Sequence, residues 1–237
     1  MPYTVSASRK QLEERLVEIT KRLRRADKNG VPPELREYAI AAAVFLSHAE
    51  VENFFGDILA RIAIAYSNGV AHSSGLPSRL RAHLVVEKLN LQTFAAKFSN
   101  KTGESAILDE VQRWFASPLF CLLNDSQPLG AFDGKDIHGN YGYPSIKNVE
   151  RVLRRVGIAD PKGKLNGTAK RDVMSLLESI GDLRTALAHD ASLPGISCRD
   201  VIDKLSGLKA FVAAMDRTLY SHVRTSLPDA AWKANVC

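Results

Sequence analysis

Apolar residues in this chain recur at spacings of three, four and seven, and runs that alternate every second residue are scarce. That periodicity predicts helices and little strand. The pattern first sets in at Ser8, the expected N-cap, and runs through Arg25. Asn29-Gly30 and Pro32-Pro33 then close it. A second run begins at Pro33 and reaches about Tyr66, where Asn68-Gly69 stops it. Its positions Val44, Val51, Phe55, Ile58, Ile62 and Ala65 form one stripe, which predicts a helix of about 30 residues as the backbone of a bundle. Asp57 and Arg61 stand on the opposite side as an i, i+4 couple.

Two further helices are expected over Ser78 to Phe98 and Glu104 to Phe115, the latter ended by Ser117-Pro118. Residues 124–144 have no period and hold four glycines, two prolines and three aspartates. A loop of that length is expected to be functional or mobile. Ser145 then caps a helix that Gly157 closes in the left-handed region. "DPKGKLNG" reads as a connector, and Thr168 as the cap of a helix with the stripe Val173, Leu176, Ile180, Leu183 and Leu187. Pro194-Gly195 turns the chain, and Ser197 and Asp200 have capping-box spacing. In the last helix Val201, Leu205, Leu208, Val212, Met215, Leu219 and His222 form a seam, suited to core packing or to a dimer. The sum is a single all-α domain over residues 1–237, a bundle of about six or seven helices.

Composition narrows the class. The 237 residues are 45% apolar and 24% charged, enough for a sizeable core. No apolar run approaches bilayer length, and "MPYTVSASRKQLEERL" has no signal-peptide core. Three scattered cysteines, at 121, 198 and 237, lack metal-ligand spacing and suit reduced thiols in a cytoplasm. A cytoplasmic protein without a membrane partner is expected. The net charge of +6 is clustered in "KRLRR" (21–25), "PSRLRAH" (77–83) and "RVLRR" (151–155). Each alone suits a solvated face; three together favour an anionic partner.

The candidate chemistry lies in "DLRTALAHD", residues 182–190. Cleaving RNA without a metal needs a base for the 2′-OH, an acid for the 5′-oxygen and positive charge for the phosphorane. Histidine can supply either proton transfer and arginine matches phosphate oxygens. On an ideal helix, Arg184 and His189 would lie about 140° apart in projection and about 7.5 Å apart along the axis. They do not share a face, so either the helix ends before His189 or two chains together complete the site. Asp182, Thr185 and His189 do share one, which makes Asp182 a candidate for orienting the neighbourhood. An R-x4-H pair also arises by chance, and the macrodipole favours a histidine near a helix C-terminus.

"RTALAHD" resembles the R-x4-6-H signature of the HEPN superfamily. "FLSHAEVENFFGDIL" (45–59) resembles the long early helix of the RiboL-PSP-type HEPN families, and "YPSIKNVERVLRRVGI" precedes the R-x4-H helix in their order. The resemblance covers roughly residues 35 to 225 and leaves the N-terminal helix, 8–26, outside the core. It implies an all-α bundle, usually dimeric, in which two R-x4-6-H motifs face each other across a cleft. Many members are metal-independent endoribonucleases serving as toxins or in phage defence, and others are non-catalytic binding or assembly domains. It further implies Arg184 as phosphate stabiliser and His189 as general base or acid, with no cofactor and no metal. A homodimer, RNA, and an antitoxin or defence-system partner are the partners it implies. Two positions depart from the pattern. Thr185 stands where Asn, Asp or His is usual, and Asp190 replaces a frequent glycine beside the histidine.

Other groups add RNA-binding candidates: Arg151, Arg154 and Arg155 for phosphates, and His138, Tyr141 and Tyr143 for bases. His48 and Glu52 share a helix face but lack a third metal ligand, so a structural pair is expected. His72 and His83 belong to no constellation. No P-loop, G-x-G-x-x-G or G-x-S-x-G is present. Two functions stay open: a metal-independent HEPN-type endoribonuclease acting on single-stranded RNA, or a non-catalytic module that binds RNA, a nucleotide or a protein. A plain structural dimer domain is a third.

Overall fold

The computed structural model describes residues 2–88, 104–125, 127–190 and 195–237. Among them are ten α-helices, two short 3-10 turns and no strand, in line with an all-α fold. The helices are α1 (Ala7–Ala26), α2 (Pro33–Gly69), α3 (Ser78–Lys88), α4 (Glu104–Ala116) and α5 (Gly134–His138). Then come α6 (Ile146–Arg155), α7 (Pro161–Ala169), α8 (Val173–Asp190), α9 (Cys198–Val223) and α10 (Asp229–Asn235). The part of the expected third helix beyond Lys88 lies outside the described residues, as does Pro194. Among the described residues no helix is long and apolar enough to cross a membrane.

The core sits where the two longest helices meet. α2 buries its whole expected stripe and packs against α1, α5, α8, α9 and α10. α9 packs against α1, α2, α7 and α8, and its seam from Val201 to Leu219 is buried within the chain. That seam is therefore core. Both chain ends are tied to α9 and α10. The Ala7 N–H donates to the Val236 carbonyl at 2.9 Å, and the Trp232 indole to the Thr4 carbonyl at 3.0 Å. Asp216 on α9 is fully buried and takes the Tyr3 hydroxyl and the Ser6 N–H.

Several boundaries differ from the sequence expectation for physical reasons. Ser6 caps α1, accepting from the Arg9 N–H at 3.1 Å, because Ser8 faces α2 and donates to Asp57. The "connector" is α7: Asp160 caps it at the Gly163 N–H, and Pro161 and Leu165 anchor it in the core. Its two glycines hide a short amphipathic pattern. Thr168 thus lies inside α7 against Thr218, and Asp172 caps α8 through the Ser175 N–H. Within the aperiodic segment 124–144, Asp133 and Asp136 form a capping box that starts α5. The added short elements α5, α7 and α10 raise the count above six or seven. Ser145, Gly157 and the Ser197–Asp200 box stand as expected.

α5 fixes the long loop onto α2. Gly134 is buried so close to α2 that a Cβ there would stand 2.6 Å from the Ala60 nitrogen and 2.8 Å from its Cα. Gly134→Ala must push backbone from backbone, an overpacking expected to cost about 1–3 kcal/mol. Gly56, on the same helix α2, meets nothing within 4 Å. Gly56→Ala is expected to stabilise by about 0.5–1 kcal/mol through helix propensity. Urea unfolding of both variants checks the opposite signs.

Candidate functional site

α8 buries Val173, Met174, Leu177, Ile180 and Leu187 and turns Asp182, Thr185, His189 and Asp190 to the surface. It stays helical through His189 and ends at Asp190. The option of a helix that stops before His189 is therefore removed, and Arg184 and His189 point away from a shared face. His189 is exposed and makes no hydrogen bond or ion pair with the described residues. Asp182 and Asp190 are exposed as well, and neither forms an ion pair among the described residues. The Thr185 hydroxyl donates to the Gly181 carbonyl at 2.9 Å, so it is spent on its own helix.

Arg184 is half-buried and turned towards the long loop. Its guanidinium carbon lies 5.9 Å from the centre of the Tyr143 ring, within cation–π range. The other neighbour of Tyr143 is His48 of α2, with ring centroids 4.8 Å apart. His48 is buried, and burial followed by the nearby Arg184 charge holds its pKa below the usual histidine range, while Glu52 opposes this. A neutral imidazole, a tyrosine and a guanidinium thus make one cluster from three separate elements. No carboxylate pairs with Arg184 among the described residues, which leaves its donors available to an anion.

The rest of the loop carries a second cation–aromatic group. Tyr141 lies under Arg151, 4.0 Å from guanidinium carbon to ring centre, and under Arg155 at 4.9 Å. Arg155 also donates to the carbonyls of Ile137 and His138 at 3.0 and 2.9 Å and so clamps the end of α5. Arg154 pairs with Glu150 at 2.9 Å. The His138 ring bonds the Gly139 carbonyl at 2.7 Å, within its own loop. Of the sequence candidates, then, Arg184 and Tyr143 come together, Tyr141 joins Arg151 and Arg155, and Arg154 and His138 are engaged locally.

Sequence reasoning passed over the part His48 plays beside Arg184. The signal was available: His48 follows Val44 by four and precedes Val51 by three, a polar residue on the buried stripe of α2. Its expected partner Glu52 is exposed, and the ring rests on Tyr143 instead. Among the described residues no three His, Cys, Asp or Glu side chains converge as metal ligands.

A family model described as RiboL-PSP-HEPN matches residues 10–221. The match takes in α1, which the sequence resemblance had left outside. No curated protein and no solved structure matches the chain significantly.

The depressed pKa of His48 makes stability depend on pH. Below about pH 6.5, the ordinary histidine value, the unfolded chain binds a proton that the folded chain resists. Stability is therefore expected to fall as the pH drops through that range. His83, half-buried and likewise depressed by burial and by Arg155, adds to the same slope. Urea midpoints at about pH 7.5 and about pH 5.5 should differ less for His48→Gln than for the parent. Equal differences would remove His48 from this account.

Proposed function

Because the chain belongs to the RiboL-PSP-HEPN family, we propose that it is an endoribonuclease that cleaves single-stranded RNA at a site completed by two copies of itself. The observation that carries this reading is the unbroken helix through His189. It leaves an exposed histidine and a tyrosine-supported arginine that one chain cannot aim at the same phosphate. A second copy supplies the missing direction. The outer face of α2 supports such a pairing, since Leu35, Tyr38, Phe45 and Leu46 are exposed with Ala42 and Ala49 among them. Phe45 and Leu46 lie in the turn before His48, so a partner docked there reaches the Arg184 cluster.

In the proposed reaction His189 of one copy takes the proton of the 2′-OH, and the oxygen attacks the adjacent phosphorus. The bond to the 5′-oxygen breaks as His189 of the partner subunit protonates it. The products are a 2′,3′-cyclic phosphate and a 5′-hydroxyl. Arg184 holds the charge that gathers on the phosphorane oxygens. Tyr143 and His48 are positioning residues, since they orient the guanidinium without touching the reacting atoms. None of these steps draws on a metal. A role as toxin or phage-defence effector, with an antitoxin or defence partner, would follow from such an activity.

A second reading is favoured by Thr185 and Asp190: a non-catalytic module that holds RNA, a nucleotide or a protein. The threonine hydroxyl is occupied by Gly181, and Asp190 sets a negative charge next to His189.

Cleavage of a fluorescent single-stranded RNA in EDTA separates the two. The parent is expected to cleave, and His189→Ala and Arg184→Ala to lose at least about a hundredfold, the usual scale of one proton-transfer or charge-stabilising group. A folded, dimeric parent that leaves RNA intact would favour the binding module. A further prediction concerns the pairing. Phe45→Lys should shift the chain to monomer by light scattering and abolish cleavage, whereas a variant still dimeric would place the interface elsewhere.

A further inference from the structure

Between α3 and α6 the surface holds an open groove of about 500 Å³, within the size range of small-molecule sites. Five cations line it: Arg79 from α3 and Lys147, Arg151, Arg154 and Arg155 from α6. His83 stands among them with its ring on the Asp136 carbonyl. Glu150 is the one carboxylate among the described lining residues, and it is taken by Arg154 at 2.9 Å. Arg155 reaches Glu87 at 3.8 Å. Arg79, Lys147 and Arg151 have no carboxylate partner among the described residues.

Two of these cations stand where helix electrostatics disfavours them. Arg79 is in the first turn of α3 and Lys147 in the first turn of α6, and neither first turn contains an acidic residue. The positive end of the helix dipole and the unpaired side chain then repel each other. An anion in the groove removes that repulsion at both helices. The sequence reading had seen the α6 arginines, but Arg79, Lys147 and His83 join them only in the fold.

The long loop links the groove to the Arg184 cluster through two tyrosines. Tyr141 underlies Arg151 at the groove, and Tyr143 underlies Arg184. Two residues along the chain, their Cα atoms are at most about 7 Å apart. A row of cations leading over two tyrosine rings to a phosphate-binding arginine suits a linear polyanion with stackable bases. We infer that the groove between α3 and α6 is a phosphate-backbone subsite for single-stranded RNA, holding the strand beside the phosphate bound at Arg184. Its place relative to the scissile bond rests on the cleavage reading above. Its affinity for RNA does not.

The test is binding of a fluorescein-labelled single-stranded oligoribonucleotide to His189→Ala protein, read by anisotropy over a salt series. Arg79 and Lys147 are exposed and lack described partners, so Arg79→Ala/Lys147→Ala in that background should fold normally. It is expected to bind at least about tenfold more weakly and to lose about 1.4 from the salt slope, the share of two single-strand phosphate contacts. Arg24→Ala/Arg25→Ala removes the same charge from the exposed end of α1 and should change neither. Unlabelled RNA should displace the probe, while inorganic phosphate, a mononucleotide and poly-glutamate should not. Equal losses in the two double variants, displacement by poly-glutamate or a mononucleotide, or no binding at all would overturn the subsite. A parent that fails to cleave while the groove variant alone loses binding would overturn the cleavage reading and leave the subsite standing.

Discussion

The candidate site depends on the closeness of Gly134 to Ala60. Only a residue without a Cβ lets the start of α5 rest on the backbone of α2. That contact decides where the loop after α5 runs. Arg155 then clamps the other end of α5 through two backbone carbonyls, Lys88 pairs with Asp136, and His83 holds the Asp136 carbonyl. Once both ends of α5 are held, Tyr141 and Tyr143 have little choice of position. A glycine far from any chemistry therefore sets the place of two rings that carry three arginines.

Those rings settle how the arginines can be used. A guanidinium over an aromatic face gains up to about 1–2 kcal/mol without a carboxylate. The in-plane N–H donors remain open, whereas an ion pair would occupy them. Arg184 over Tyr143 and Arg151 over Tyr141 are both held in this way. His48 completes the arrangement from below. Because it is buried beside Arg184, it stays neutral more readily than a free histidine and adds no competing charge. Aromatic support thus aims cations that remain able to receive a phosphate.

Helix periodicity made the helical fold legible, since every stripe residue named on α2 is buried and the α9 seam is buried from Val201 to Leu219. Caps read from local chemistry held where no tertiary contact competed, as at Ser145 and Ser197. They shifted where one did, as at Ser8, whose hydroxyl goes to Asp57. Short elements escaped because α5 and α7 each start at an Asx cap inside glycine-rich sequence, where a period cannot establish itself. The site was half legible. "RTALAH" stands out as a string, but its neighbours His48 and Tyr143 are separated from it by more than 40 residues of chain in one case and 100 in the other. No local pattern encodes such a meeting. It follows from the packing of α2, α5 and α8.

Charge is paired unevenly over the molecule. Around the chain termini cations find carboxylates: Arg9 reaches Glu13 and Asp216, and Arg224 reaches Asp229. Arg61 pairs with Asp57 within α2. Around the long loop pairing is partial: Lys88, Arg154 and Arg155 reach Asp136, Glu150 and Glu87, whereas Arg184, Arg151, Arg79 and Lys147 have no such partner among the described residues. Stability alone would favour pairing a half-buried guanidinium, because each unpaired charge retains its desolvation cost. The net charge of +6 is therefore a local property as much as a global one. Part of the excess sits where two helix N-termini and two tyrosines gather four of these cations. An anionic ligand is the one addition that would satisfy all of these groups together.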